Sequence, residues 1–243
     1  MRTILICFAG YVALGSIENI NAEEDSCKDK DNVGNGRIFT KDELKKYDGN
    51  SMPEYGIFLA IMGEVFDVTA GEAYYGPGKG YAAFSGRDGS RSFVSGDFTN
   101  EGAVESLDGL TPAEVAGVAD WRSFYRKEEK YLFVGTLDGL YFDSTGKKTS
   151  YHDFVEEKLT EHERMEERKR LLKEKYPKCS SRWSQATGKE IWCNENLVPR
   201  NFLDSLGSSP RCACVDLARS TDAADGTFSV YENCSPSSGK CFG

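Results

Sequence analysis

The sequence predicts an α+β chain in three consecutive parts, and three observations carry that reading. Between Arg37 and Lys148, short runs with strand character alternate with short runs that carry helix caps. From Glu156 to Lys175 nearly every residue is charged or a good helix former. Six of the eight cysteines fall between Cys179 and Cys241, where periodicity is poor and Ser, Gly and Pro are frequent. The 243 residues are 39% hydrophobic and 28% charged, an ordinary globular composition with room for a real core. A net charge of −9 argues against a nucleic-acid partner, since phosphate binding needs clustered positive charge, and against attraction to anionic membrane surfaces.

The first segment reads as a secretory signal peptide over residues 1–22. Arg2 supplies the positive end and Ile4 to Leu14 the apolar run. Ala22 stands before the acidic run Glu23-Glu24-Asp25. The apolar run falls short of the roughly 20 residues that a membrane span requires, and Glu18 interrupts any extension, so no stable membrane insertion is expected. Residues 23–36 form a polar, flexible lead-in. With Cys7 removed, seven cysteines remain in an oxidising compartment. The expectation is a disulfide framework with one cysteine left over. A zinc reading is weak, because Cys212 and Cys214 are one residue apart and no histidine lies near them.

In residues 37–148, Arg37-Ile38-Phe39 reads as a short strand. Thr40 with Glu43 forms a capping box for a helix over Lys41 to Lys46. Gly56 to Met62 is a buried strand, turned by Gly63-Glu64, with Val65 to Val68 as its return. Ser90 to Val94 suggests a short helix. Thr111, Pro112 and Glu114 start a long one as N-cap, first-turn proline and box, followed by Val115, Val118, Ala119, Arg122 and Tyr125 or Arg126 at helical spacing; Trp121 is expected in the core. Tyr131 to Leu137 reads as a strand, with Asp138-Gly139 as a hairpin turn into Leu140-Tyr141-Phe142.

Residues 151–177 read as a charged helical linker docked at its two ends. Its apolar positions are Phe154, Val155, Leu159, Leu171, Leu172 and Tyr176, and its expected ion pairs are Glu166–Arg170 and Glu161–Arg164. Residues 178–243 form a small cysteine-rich module. Trp183, Ile191, Trp192, Leu197, Phe202 and Leu206 supply its core and disulfides its stability. Asn233-Cys234-Ser235 matches the glycosylation pattern, though a cystine in the middle position would obstruct it.

The most informative stretch runs from Asp67 to Arg91. Two tyrosines, Tyr75 and Tyr81, flank Gly76-Pro77-Gly78-Lys79-Gly80, a turn that lets backbone approach a flat ligand closely. Taken alone, the two could be half-buried core aromatics. The motifs Asp67-Val68-Thr69, Tyr75-Gly76-Pro77, Tyr81 and Gly86-Arg87-Asp88-Gly89-Ser90-Arg91, then Asp120-Trp121, Lys130-Tyr131 and Val134-Gly135, resemble the membrane-associated progesterone receptor family, a branch of the cytochrome b5-like fold. The resemblance covers Gly36 to Leu137. The family's loop commonly carries an acidic residue and a second proline where this chain has Gly78-Lys79-Gly80.

The histidine count constrains any haem ligand. His152 and His162 are the chain's two histidines, and residues 37–148 hold neither histidine nor cysteine. Haem bound there must use tyrosine or a weak ligand such as Met52 or Met62. The resemblance implies haem b, ferric and tyrosinate-ligated, with Tyr81 on the iron, Tyr75 hydrogen-bonding near the ring, and Lys130 and Tyr131 lining the pocket. A phenol titrates near pH 10, so Fe(III) and hydrogen-bond donors must stabilise the anion. Lys79, Lys127 or Lys130 could pair with propionates. An anionic oxygen ligand favours ferric iron, which suits binding better than electron shuttling. Arg87, Asp88 and Arg91 read as an ion-pair and capping cluster that fixes the loop. No nucleophile–base pair or metal-spaced carboxylates stand out, so no enzyme activity is expected. The resemblance further implies a secreted signalling factor acting on neural tissue through an extracellular or cell-surface protein. The alternative is a haem-free interaction module on the same scaffold.

Overall fold

A computed structural model describes residues 36–99, 101–194, 196–218 and 224–242. The signal peptide and nearly all of the lead-in, with Cys7 and Cys27, lie outside the described residues.

Strand β1 (Ile38–Phe39) leads into helix α1 (Lys41–Leu44) and a 3-10 turn over Lys45–Tyr47. Thr40 Oγ1 accepts from Glu43 N at 3.1 Å, but the Glu43 carboxylate pairs with Arg37, so only half of the expected box forms. Strands β2 (Phe58–Ile61) and β3 (Glu64–Asp67) are antiparallel, with Ile61 opposite Glu64. The turn is therefore Met62-Gly63, one residue earlier than expected. A two-residue hairpin turn of this kind needs positive φ at both positions, and Met62 (52°) and Gly63 (74°) supply it. Ser90 Oγ accepts from Met62 N at 2.6 Å, and Asp88 Oδ2 accepts from Gly63 N at 2.8 Å. Asp88 Oδ1 also accepts from Ser90 N at 3.0 Å. Arg91 donates to the carbonyls of Ser106 and Asp108. The Arg87–Arg91 motif thus fixes its loop, with Asp88 and Arg91 working through backbone groups rather than as the ion pair foreseen.

Strand β4 (Leu132–Leu137) pairs antiparallel with β3 across a bulge at Val65/Phe66 and parallel with β1, giving the order β1-β4-β3-β2. Because β1 and β3 occupy both of its edges, the expected hairpin return over Leu140-Tyr141-Phe142 is not a strand. Gly139 N bonds the Phe142 carbonyl at 2.9 Å, and the Tyr141 hydroxyl donates to the Glu105 carbonyl at 2.8 Å. The sheet is buried on both faces. Leu59, Ile61 and Phe66 enter one apolar cluster, while Phe58, Ala60 and Val65 enter another with Phe39, Leu44 and Leu137. That explains why β2 reads as a continuous apolar run. Short helices α2 (Glu72–Tyr75) and α3 (Ser92–Ser95) precede α4 (Pro112–Lys127), whose Thr111–Glu114 capping box is complete. Val115, Val118 and Tyr125 face the sheet, and Arg126 grips the buried Glu64 carboxylate with two bonds of 2.7 Å.

Helix α5 (Ser150–Lys175) docks at its two ends, as expected. Val155 and Leu159 join the large cluster, and Leu172 joins Tyr176, Phe202, Ala213 and Val215 in a second core. The surface pairs differ from expectation. Arg170 is held by Glu167 and Glu174, Glu166 pairs with Lys169, and Glu161 with Lys158.

Two three-stranded sheets follow, where poor periodicity gave no strands. One is β5 (Ser180–Ser184), β6 (Gly188–Trp192) and β10 (Lys240–Phe242); the other is β7 (Val198–Asp204), β8 (Arg211–Val215) and β9 (Gly226–Ser229). Disulfides join Cys179 to Cys212, Cys193 to Cys214 and Cys234 to Cys241. The middle residue of the Asn233 sequon is thus a cystine. Phe202 and Ile191 are buried, but Trp183 is 72% exposed and belongs to no core. Asp225 closes the junction with α5, accepting from Arg168, Lys175 and the Tyr176 hydroxyl.

Candidate functional site

The glycine turn after α2 brings the two predicted tyrosine rings side by side, one buried and one exposed. Gly76 caps the helix, Gly78 adopts φ +73°, and Tyr81 N donates to the Tyr74 carbonyl at 3.1 Å, closing the loop. The Tyr75 and Tyr81 ring centroids stand 6.2 Å apart. Tyr75 points inward, and its hydroxyl lies 2.7 Å from that of Tyr125 on α4. Tyr131, just before β4, packs 6.0 Å from Tyr75 and 5.5 Å from Tyr125. Gly71 is required here by space: a Cβ would sit 2.8 Å from the Tyr131 hydroxyl and 3.0 Å from the Tyr75 ring.

Tyr81 faces outward at the edge of a continuous aromatic surface. Its ring contacts Phe84 and Phe98, and the series continues through Phe93 and Trp121 to Phe124. Tyr81, Phe98, Trp121 and Phe124 are each between 40% and 45% exposed, an unusual concentration of large apolar surface. Trp121, expected in the core, is instead part of this open face; it lies at the solvent end of the stack between Phe93 and Phe124. Lys130 is exposed, with its ammonium 5.0 Å from the Tyr131 ring centroid, a cation–π contact at the rim.

The four predicted residues are therefore neighbours. Tyr125 is the member that the sequence reading passed over as one helical position among several. Its hydroxyl partner lies 50 residues away, and that pairing left no local trace; its aromatic neighbours Phe124 and Trp121 were the available hint. Burial pushes the Tyr75 phenol well above its ordinary range, with the bond to Tyr125 pulling the other way. Burial and the neighbouring Tyr75 raise Tyr125 further. Both stay protonated at physiological pH. One hydroxyl donates to the other, which leaves the second proton for a further acceptor.

These residues fit a flat, anionic, iron-bearing ligand. Among the described residues of the domain there is no imidazole or thiol. His152 is buried against Phe142 and Met62 is buried in the β2–β3 turn, so neither reaches the aromatic face. Tyr81 alone among the exposed tyrosines packs against two members of that face, Phe84 and Phe98, and against the buried Tyr75 behind it. At Gly78 and Gly80 a Cβ would meet nothing within 4 Å, so the loop between the tyrosines borders open space. Among the described residues, no helix is long and apolar enough to cross a membrane.

Residues 40–138 match the cytochrome b5-like heme/steroid binding domain family. Membrane-associated progesterone-binding protein 4 of Arabidopsis thaliana is 41% identical over 213 residues, covering 84% of this chain and 83% of that protein. Neuferricin of Mus musculus is 37% identical over 188 residues, covering 74% of this chain and 70% of that protein. A solved Arabidopsis thaliana structure described as having a cytochrome b5 like fold is 38% identical and covers 42% of this chain and 90% of its own, with a TM-score of 0.37. The two protein relatives extend well past the matched domain into the charged helix and cysteine-rich module. With the aromatic face they share one consequence: the chain belongs to the family of neuferricin and the membrane-associated progesterone-binding proteins, built on a cytochrome b5-like haem/steroid-binding domain.

Proposed function

We propose that this chain is a secreted, non-catalytic haem-binding protein in which the Tyr81 phenolate holds ferric iron. The observation that carries the reading is the placement of half-exposed Tyr81 against the buried Tyr75–Tyr125 hydroxyl pair. Neutral phenols held close by supply donors to an oxyanion, which lowers the cost of ionising Tyr81 beside a cation. Bound haem would supply the Lewis-acidic iron that makes a phenolate ligand stable near neutrality. Tyr75 orients and donates, Tyr131 backs the ring stack, and Lys130 offers a cation to a carboxylate at the rim. The aromatic face excludes water from one side of a planar ligand. The leader over residues 1–22 and the three disulfides support export. An extracellular signalling role toward neural tissue, through a cell-surface protein, completes the reading and rests on the likeness to neuferricin.

Hemin titration of the purified chain is the direct test. The expected result is saturation at one equivalent with a Soret band, and loss or a strong shift of that band in Tyr81→Phe with an unchanged circular dichroism spectrum. Failure to saturate, or an unchanged band in Tyr81→Phe, overturns the ligand assignment. Partner capture that survives Tyr81→Phe in a chain without hemin uptake would favour the haem-free interaction module. Export is checked separately by expression in a eukaryotic cell line and N-terminal sequencing of the medium fraction, where the chain is expected to begin at Glu23.

A further inference from the structure

Two of the three disulfides touch. Cys193 Sγ lies 3.9 Å from Cys179 Sγ, although the two belong to different bridges. The sulfurs of Cys179, Cys193 and Cys214 all lie within 4.8 Å of one another; the fourth sulfur, of Cys212, is bonded to Cys179 but falls outside that group and would have to swing in when its bridge opens. Cys212 and Cys214 alternate along β8 and so present their side chains to the same face. Cys179 enters β5 and Cys193 leaves β6, which places both opposite that face. Stapling a small module calls for bridges. It does not call for two bridges in van der Waals contact.

We propose that these four cysteines form a tetrahedral zinc(II) site in the reduced chain, which the two disulfides replace on oxidation. A zinc tetrathiolate with Zn–S near 2.3 Å has sulfurs about 3.8 Å apart. The Cys179–Cys193 separation of 3.9 Å already meets that edge. The Cα separations across the two bridges, 5.5 and 5.6 Å, leave room for the sulfurs to part by side-chain rotation. No histidine is needed, and the ligand spacing that looks wrong along the chain is made right by the sheets. The site is largely sheltered, with Cys179 and Cys214 buried, which suits a structural ion with no open position.

The exchange balances. Two equivalents of a low-molecular-weight disulfide such as oxidised glutathione accept four electrons from the cysteine thiolates, take four protons from the solvent, and leave as four thiols. The four cysteine thiolates become two disulfides, and zinc departs as the aqueous dication. The reduced module would carry the ion and the oxidised module the bridges, with the same four residues holding it together in both states.

The test uses the full chain, without haem, reduced by a phosphine under anaerobic conditions and titrated with cobalt(II). The expected result is one equivalent bound, with the intense thiolate-to-cobalt absorption and tetrahedral ligand-field bands of a four-sulfur site, bleached by one equivalent of zinc(II). Cys212→Ser with Cys214→Ser should lose the bands; Cys234→Ser with Cys241→Ser should keep them at full intensity. Oxidised glutathione should release the metal to a chromogenic chelator in step with the loss of free thiols. Absence of a one-equivalent endpoint in the wild-type chain, weak octahedral-type bands, or undiminished binding in the Cys212/Cys214 double variant overturns the proposal. The wild-type spectrum decides even where a variant misfolds, because band position and intensity report the number of sulfur ligands.

Discussion

The cytochrome b5-like domain and the cysteine-rich module hang on opposite ends of one helix and are held together by different physics. The domain supplies fifteen of the sixteen buried residues of its main cluster, Val155 of α5 being the other, with a second cluster on the other face of its sheet. The module supplies three residues, Phe202, Ala213 and Val215, to the cluster it shares with Leu172 of α5 and the helix's C-cap Tyr176, and places its remaining cohesion in three disulfides and the Asp225 clasp. Burial contributes about 25 cal/mol per Å² of apolar surface removed from water, so the first arrangement draws more of its stability from burial and the second more from cross-links. The comparison teaches where each region should be vulnerable.

The largest effect is expected from reduction. With a phosphine and a metal chelator present, the module should lose amide protection across β5 to β10 while β2, β3 and α4 keep theirs, each bridge removed costing about 2–5 kcal/mol. Hydrogen exchange read peptide by peptide measures both regions in one sample. Equal loss in the two would show that α5 couples them into a single cooperative unit and would break the contrast.

Next in size is a change confined to the domain. Tyr125→Phe removes a hydroxyl that the buried Tyr75 hydroxyl uses at 2.7 Å. An unpartnered buried hydroxyl costs about 1–3 kcal/mol, so the domain's urea midpoint should fall while the module's stays put. The same variant should weaken or shift the hemin spectrum, since Tyr75 loses the neighbour that fixes its proton. An unchanged midpoint would mean that Tyr75 finds another acceptor within the cluster.

What could be read beforehand follows from the range of the interactions. The Thr111-Pro112-Glu114 start of α4 and the ends of α5 are local matters of capping and spacing, and both appear where the residues put them. The Tyr75–Tyr81 pair was legible because the glycine turn that joins them is also local. The hairpin after β4 was misread because its edge is taken by β1, almost a hundred residues earlier, and no window of sequence carries that pairing. The module's six strands were invisible for a related reason. β5 is mostly exposed, and β9 alternates half-buried with exposed positions over only four residues, too short a run for its period to stand out. Trp121 and Trp183 misled because bulk alone suggests a core, whereas the first lines an open aromatic face and the second lies on an edge strand.

The smallest expected effect sharpens the comparison by sign. Asp88, in the domain, is fully buried among N–H and O–H donors; desolvation outweighs them and raises its carboxyl to about 6. A carboxyl whose folded pKa is raised adds stability that is complete below its unfolded value, near 4, and is lost as pH rises through about 6. Asp225, in the clasp, faces the Lys175 ammonium and the Tyr176 hydroxyl, with Arg168 on its other oxygen. These hold it below the usual carboxylate range against the opposing cost of burial. Its contribution is complete above the unfolded value and is lost as pH falls through the lowered one. Between pH 6 and pH 4 the Asp88 contribution to domain stability should therefore grow, while the clasp holds steady until the pH drops below the carboxylate range. Urea unfolding at a series of pH values, followed by pulse-labelled hydrogen exchange in β2–β3 and in β7–β9, separates the two curves. Asp225→Asn should flatten the acid limb for the module and leave the domain's slope between pH 4 and 6 unchanged; a domain slope of the opposite sign would mean that the Asp88 carboxylate is better solvated than its burial in the β2–β3 turn allows.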